Sequence, residues 1–389
     1  MTYAFPYVLF ISSFFIFQYL PKAIGRTEQY YYPRLYVLFS LLIFLGCRGF
    51  IATDWISYYP FYQETPSIFN DKAFNFIQSW PWEKGFLLLT CVIKSFAPNF
   101  FAYQFVLFAI DLIIIDKIIC EYVDSKYYVI AYISFFVFQG FVMEVNLLRN
   151  AQAIMLFLLS IKYVREKKIF KYILLNCFGV LFHTSSVFYL PLYFVLNHRF
   201  SKKFLLIAFF LGNIIMLAHI SWLTGLLQNI LPMLGQSRLA SMITSYQILT
   251  GKANATSLGF GFIERTGIYL IALHFQPLFF KRNEKILPFL NMQYFFCFTY
   301  LYLSEFFIFT QRISMLFTFS YWIVLPAIYG KLRSDGKKIF LLFFILYCVL
   351  KMLVQCDEPI FKYRNALFDE NNYIQCTAIF NKNAVEIKK

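Results

Sequence analysis

"AFPYVLFISSFFIFQYL", residues 4 to 20, is a run of seventeen residues without a charge. As an α-helix it is about 25 Å long, close to the ~30 Å hydrocarbon thickness of a bilayer. Apolar runs of this kind recur along the whole chain, which has 389 residues, 60% of them hydrophobic and 22% aromatic. A soluble chain would need a polar surface, and no long polar stretch supplies one. The reading is therefore an all-α, polytopic membrane protein, since a helix satisfies its own backbone hydrogen bonds in lipid. No basic residue precedes the first run and no small-residue cleavage site follows it, so it reads as an uncleaved span.

About ten transmembrane helices follow, at roughly 4–20, 35–52, 100–115, 127–143, 147–164, 204–222, 259–280, 286–304, 308–330 and 339–355. Two apolar pieces do not fit. Residues 85–97 cover only about 20 Å as a helix, and 169–196 is interrupted by "FHTSS" and Pro191. Loop charge suggests what they are. The loops 21–34, 116–126, 165–171, 198–203, 281–285 and 331–338 carry 19 Lys and Arg against 7 acids, which marks them as cytoplasmic. The alternation then closes only if 85–97 is a re-entrant or interfacial segment on the outer side and 169–196 is a short helical hairpin with His183 at its tip. Residues 1–355 are expected to form a single integral-membrane domain with outer loops at 53–99 and 223–258, and 356–389 an extracytoplasmic tail, in which a Cys356–Cys376 disulfide is permitted.

The net charge of +15 lies mostly in the cytoplasmic loops, where it orients the protein and meets anionic lipid. Nucleic acid is not needed to explain it. The chain has no P-loop, paired CxxC, HExxH or DxD motif, so neither nucleotide hydrolysis, a metal centre nor a cofactor has support from a motif.

The informative residues are the charges that a membrane makes expensive. Arg48, Asp54, Glu83, Arg149, Glu264, Arg265, Glu305 and Arg312 all fall near the outer end of a span or half-span. One reading pairs them to lock helices together, Arg48 with Asp54, Arg265 with Glu264, Arg312 with Glu305, and Arg149 with Glu144. The other gathers them around a polar cavity. Arginines suit an anionic ligand, because a guanidinium matches phosphate oxygens in pairs and stays charged. An anionic ligand that approaches beside lipid suggests a lipid-linked diphosphate sugar. The tyrosines and tryptophans of 53–84 suit sugar stacking, or else an aromatic belt at the membrane surface.

Five stretches in order, "RGFIATDWISYYPFYQ" from Arg48, "WEKGFLLL" from Trp82, "NLLRNAQAIML" from Asn146, "LFHTSSVFYLPLYFVL" from Leu181 and "QRISMLFTFSYWIVLP" from Gln311, resemble the EpsG/Wzy-type polymerases of bacterial exopolysaccharide and O-antigen synthesis. Asn150 departs from the glutamine more usual after the arginine. The resemblance points to Arg48, Asp54, Tyr58, Glu83, Gly85, Arg149, His183 and Arg312. It implies a metal-independent membrane glycosyltransferase that joins polyprenyl-diphosphate-linked repeat units at the outer face of the cytoplasmic membrane. Its partners would be the lipid-linked oligosaccharide donor and acceptor, with a flippase and a chain-length regulator nearby. Asp54, Glu83 and His183 are then candidates to accept the acceptor proton, and Arg48, Tyr58, Arg149, Arg265 and Arg312 to bind substrate. A lipid-linked oligosaccharide flippase or other transporter is one rival, although its charges should lie near the midplane. A glycan ligase, with nearly the same chemistry, is another, and a non-catalytic scaffold a third.

Overall fold

A computed structural model describes residues 3–23, 31–233, 259–282, 284–305, 310, 313–369 and 372–386. Among the described residues 79% are helical, and no strand occurs. In order, the helices are α1 (Phe5–Ala23), α2 (Tyr31–Leu41), α3 (Trp55–Glu64), α4 (Ala73–Ser79), α5 (Lys84–Lys94), α6 (Phe100–Tyr122), α7 (Tyr128–Phe135), α8 (Phe141–Asn146), α9 (Leu148–Arg165), α10 (Ile169–Val180) and α11 (Leu192–Leu196). They continue with α12 (Lys202–Leu217), α13 (Trp222–Met233), α14 (Phe260–Arg282), α15 (Leu287–Tyr302), α16 (Ser320–Lys331), α17 (Ser334–Gln355) and α18 (Tyr373–Glu386). The chain divides into two compact units, one reaching to Tyr193 and resuming at Tyr321, the other Phe194–Ser320.

Among the described residues, two helical stretches are long and apolar enough to cross a membrane, Ser125–Asn146 and Ser334–Gln355, or three if α12 and α13, bent by 88°, are taken together. This is fewer than the ten crossings expected from hydropathy. Polar and broken positions account for part of the difference, since α6 carries Asp111, Asp116, Lys117 and Glu121 within its 23 residues. The two stretches differ in setting. Ser125–Asn146 is 83% buried by the rest of the protein and Ser334–Gln355 only 17%. On α17, Ile339, Leu342, Phe343, Leu346, Leu350 and Val354 are all exposed and recur at helical spacing, so they form one apolar stripe. An uncovered stripe of this length belongs against lipid.

In the first unit, the expected span 127–143 is interrupted rather than continuous. Phe138 has φ −101° and ψ 84°, and Gln139 has φ 76°. The Phe138 carbonyl, released from the helix, accepts the indole N–H of Trp322 at 2.9 Å. A buried break of this kind needs such a partner. At another point Arg34 forks onto Asp116, Nε to Oδ1 at 2.8 Å and Nη2 to Oδ2 at 2.5 Å, and Tyr132 Oη donates to the same carboxylate. That triad ties α2, α6 and α7.

The two awkward apolar pieces fold as short elements. α5 has 11 residues, about 16 Å, and buries Phe86, Leu87, Thr90, Cys91 and Ile93, so it is too short to span. Residues 169–196 form α10, a 3-10 turn at Thr184–Tyr189 and α11. Tyr172 Oη donates to the Tyr189 carbonyl at 2.6 Å, which closes the hairpin. The buried Asn176 amide bonds Ser160 Oγ on α9 at 3.0 Å. The tail is part of this unit. Tyr373 of α18 stacks on Tyr59 with centroids 4.7 Å apart, and Cys376 joins the core around Phe50, Trp55 and Tyr62. Cys356 and Cys376 are both buried free thiols.

In the second unit α15 packs against α12 and α14. The Asn291 amide reaches the carbonyls of Leu196 at 2.9 Å and His198 at 2.8 Å. Glu305 caps the start of α13, Oε1 accepting from Leu223 N at 2.6 Å and Oε2 from Thr224 N at 3.1 Å. A carboxylate there satisfies orphan amides and meets the positive end of the helix.

Candidate active site

The site in the first unit is built where α9 begins. Leu147, at the N-cap of α9, provides no side-chain cap, so the first amides of that helix need outside acceptors. Asp54 provides one. It stands before α3 without capping it, and its carboxylate accepts from the Leu148 N–H instead. Thr53 secures the approach, its N and Oγ1 both donating to Asn146 Oδ1 at 3.0 and 3.1 Å.

Arg149, the second residue of α9, is held on three sides. Its Nε donates to Tyr58 Oη at 3.0 Å and its Nη1 to Glu83 Oε2 at 2.6 Å. The guanidinium carbon lies 4.7 Å from the Trp82 ring centroid. The Arg149 and Glu83 side chains retain 24% and 15% exposure, so the pair is accessible from one side. Glu83 Oε1 also accepts from Thr184 N at 3.4 Å, which links the pair to the hairpin tip. Gly85 N and Phe86 N donate to the Leu181 carbonyl at 2.9 and 3.2 Å. A side chain at Gly85 would bring its Cβ within 2.7 Å of Leu181 Cβ, so glycine permits this contact.

His183 starts the 3-10 turn, and its Nδ1 accepts from Ser185 N at 3.2 Å. Ser185 Oγ is 2.7 Å from the same Nδ1 and 2.9 Å from Asn150 Oδ1. Neighbouring residues of α9, Arg149 and Asn150, therefore hold Glu83 and the histidine tip. Burial pushes the Asp54 carboxyl up to about 7, against the opposing pull of Arg149, the Leu148 N–H and Arg48. Burial likewise pushes the Tyr58 phenol up to about 12, with Arg149 opposing. Tyr58 thus stays protonated at neutral pH.

Asp54, Tyr58, Glu83, Arg149 and His183 meet in this one region of the fold, and Arg48 lies apart from them. Its side chain is 2% exposed, with Nη1 donating to the Leu45 carbonyl at 2.7 Å and Nη2 to the Glu144 carbonyl at 2.5 Å. The backbone turns between Arg48 and Asp54. Ala52 takes φ 63°, a left-handed conformation unfavourable for a residue with a Cβ. Its N–H donates to the Ile360 carbonyl at 2.9 Å, and its own carbonyl accepts Trp55 Nε1–H at 3.0 Å. The tail segment thereby sends Arg48 inward and Asp54 toward α9. Arg149 is paired with Glu83 and not with Glu144, whose side chain is buried. In the second unit, the Arg265 guanidinium lies 4.0 Å from the Tyr300 ring centroid, and Glu305 caps α13. Arg312 lies outside the described residues.

Trp82, Asn150 and Ser185 have roles that sequence reading missed. Trp82 lies in the same stretch as Glu83, and Asn150 follows Arg149, so adjacency was the available signal. Among the described residues, no three His, Cys, Asp or Glu side chains gather as metal ligands would.

The arrangement can hold an anion at Arg149 and offers a carboxylate and an imidazole for proton handling. Comparison with curated proteins and comparison with solved structures each return no match. A family model described as the EpsG family matches residues 30–365, a region that contains every residue of the cluster around Arg149. By that match the chain belongs to the EpsG family.

Proposed function

We propose that this membrane protein is a polymerase that transfers a growing glycan from one polyprenyl diphosphate to the non-reducing end of a repeat unit carried on another. Membership of the EpsG family fits a polysaccharide polymerase in general, acting on lipid-linked saccharides. The finer reading includes ten crossings of a bacterial cytoplasmic membrane, an integral domain over 1–355, a site facing outward and an extracytoplasmic tail from 356. A flippase would supply the donor and acceptor, and a chain-length regulator would set polymer length.

The observation that carries this reading is Arg149 at the start of α9, held by Tyr58, Glu83 and Trp82 with partial exposure. A fixed guanidinium at a helix N-terminus is a suitable receptor for a diphosphate. As the glycosidic bond to the diphosphate breaks, negative charge builds on the leaving oxygen. A preorganised cation stabilises that charge without rearranging, so the transfer is assigned to arginine rather than to a metal ion. Asp54, Glu83 and His183 are the groups offered to the acceptor hydroxyl. Arg48 acts from behind through its field at Asp54, and Arg265 and Arg312 are proposed as further contacts to anionic substrate.

Deleting the protein tests the reading. Cells are expected to accumulate single lipid-linked repeat units on the outer leaflet and to make no long polymer. Units trapped on the inner leaflet would indicate a transporter. Normal polymer would overturn the polymerase.

A further inference from the structure

The second unit carries an apolar groove that the transfer reaction does not use. It lies between α12 and α15 and encloses about 540 Å³, within the ~300–1,000 Å³ of small-ligand sites. Phe200, Phe204, Trp222, Phe295, Phe298 and Tyr302 line it. Polar groups in its wall are spent on the backbone. Tyr302 Oη donates to the Ala208 carbonyl at 2.8 Å, Trp222 Nε1 to the Tyr302 carbonyl at 2.8 Å and Thr299 Oγ1 to the Phe296 carbonyl at 3.0 Å. The surface offered is mostly ring faces and methyl groups. From Phe295 to Tyr302 the wall runs about 10 Å along α15, long enough to seat part of an extended chain.

This groove borders lipid along one side and positive charge at one end. Phe204 is 52% exposed, and Ile207, Leu211 and Ile214 follow it at helical spacing on α12, exposed as well. On a membrane helix such a face meets hydrocarbon. Lys202 and Lys203 open α12 with exposed side chains. Arg199 precedes them, its guanidinium 5.5 Å from the Phe280 ring centroid. An apolar channel that ends at ammonium groups is complementary to an amphiphile with an anionic head and a long apolar tail.

We infer that this groove binds an acyl chain of an anionic phospholipid, with Lys202 and Lys203 meeting its phosphate. A polyprenyl phosphate has the same two parts, and the orientation proposed from loop charge decides between them. That orientation puts 198–203 in the cytoplasm, so the head of the bound lipid belongs to the inner leaflet, whereas the transfer is assigned to the outer face. The groove supplies retention, since burial of the chain is what holds it. The two lysines supply the preference for an anionic head, an attraction that fades within a Debye length. The inference rests on the proposed orientation, which thiol labelling tests separately. It needs no transfer reaction, and the groove shares no residue with the cluster around Arg149.

Two measurements test this on the full-length chain. The first is native mass spectrometry from detergent micelles, titrating phosphatidylglycerol and phosphatidylcholine of matched acyl chains. The wild type should bind phosphatidylglycerol about tenfold more tightly. Lys202→Gln combined with Lys203→Gln should erase that preference by weakening phosphatidylglycerol alone, and Ala208→Phe, which fills the groove, should weaken both lipids about tenfold. A preference that survives the lysine changes, or undiminished binding of both lipids to folded Ala208→Phe, would overturn the site. The second measurement leaves the groove intact, and so decides the matter even if Ala208→Phe does not fold. Fluorescence of Trp222, separated from the other four tryptophans by subtracting Trp222→Phe, is followed in phosphatidylcholine nanodiscs doped with chain-brominated lipid. Brominated phosphatidylglycerol should quench it more strongly than the same fraction of brominated phosphatidylcholine, and equal quenching would overturn the anionic selectivity. Displacement of phosphatidylglycerol by an equal concentration of polyprenyl phosphate would overturn the assigned occupant.

Discussion

At the scale of single residues, the proposed transfer turns on how α9 presents Arg149 and how Asp54 meets its first amide. The guanidinium bonds Tyr58 and Glu83 at once and stacks near Trp82, and an ammonium cannot reproduce that planar fork. Arg149→Lys, at matched membrane levels, is therefore expected to lower polymerisation roughly 100-fold, read as polymer length on gels. Wild-type laddering would reduce the site to a loose electrostatic one. Asp54 gives a prediction in pH. Its folded carboxyl is pushed up to about 7 from an ordinary 3.8, so between those values the folded chain holds a proton that the unfolded chain has lost. Stability must then fall as pH rises through this window. Asp54→Asn removes the ionisation and keeps an acceptor for the Leu148 N–H. It should raise the unfolding temperature more at pH 8 than at pH 5 while abolishing turnover. In the wild type the rate should rise with pH around a midpoint near 7, and a flat profile would remove Asp54 as the base.

At the scale of elements, the site depends on short pieces held by backbone contacts. The N-terminus of α5 meets the hairpin at the Leu181 carbonyl, where a Cβ on Gly85 would overlap Leu181. Gly85→Ala must push the hairpin away and carry Thr184 away from Glu83. A stability loss of about 1–3 kcal/mol is expected from such overpacking, with a larger loss of polymerisation, read by thermal unfolding and by laddering side by side. Loss of both in proportion would make the contact merely structural. The break between α7 and α8 provides a second test, through a donor outside the Arg149 cluster. Trp322→Phe leaves the buried Phe138 carbonyl without its indole donor and should cost about 1–3 kcal/mol, with activity per folded molecule retained.

At the scale of the whole molecule, the topology proposed from loop charge is open to direct labelling. In a variant lacking its native cysteines, Lys252→Cys should react with an impermeant thiol reagent in intact cells, and Arg333→Cys should not. The reverse pattern would overturn the orientation. Composition and hydropathy alone established an all-helical membrane protein, because apolar runs without charge leave a chain few other solutions. The ordered motifs likewise pointed to the EpsG family, and the weak spots at 85–97 and 169–196 were legible because their lengths and interruptions are local properties. Which charges meet was not local. Arg48 and Asp54 are six positions apart, yet a left-handed Ala52 tied to the tail at Ile360 turns one inward and the other onto α9. Arg149 found Glu83 and not the nearer Glu144 because α5 docks against the hairpin. The break at Phe138 and Gln139 lies in a run that is interrupted only by Gln139 and Gly140 between phenylalanines, and hydropathy carries no signal of backbone direction. Sequence determined the solvent each segment prefers, since that depends on the segment's own side chains. Tertiary structure decided the partners, since those depend on where distant backbone groups remain to be satisfied.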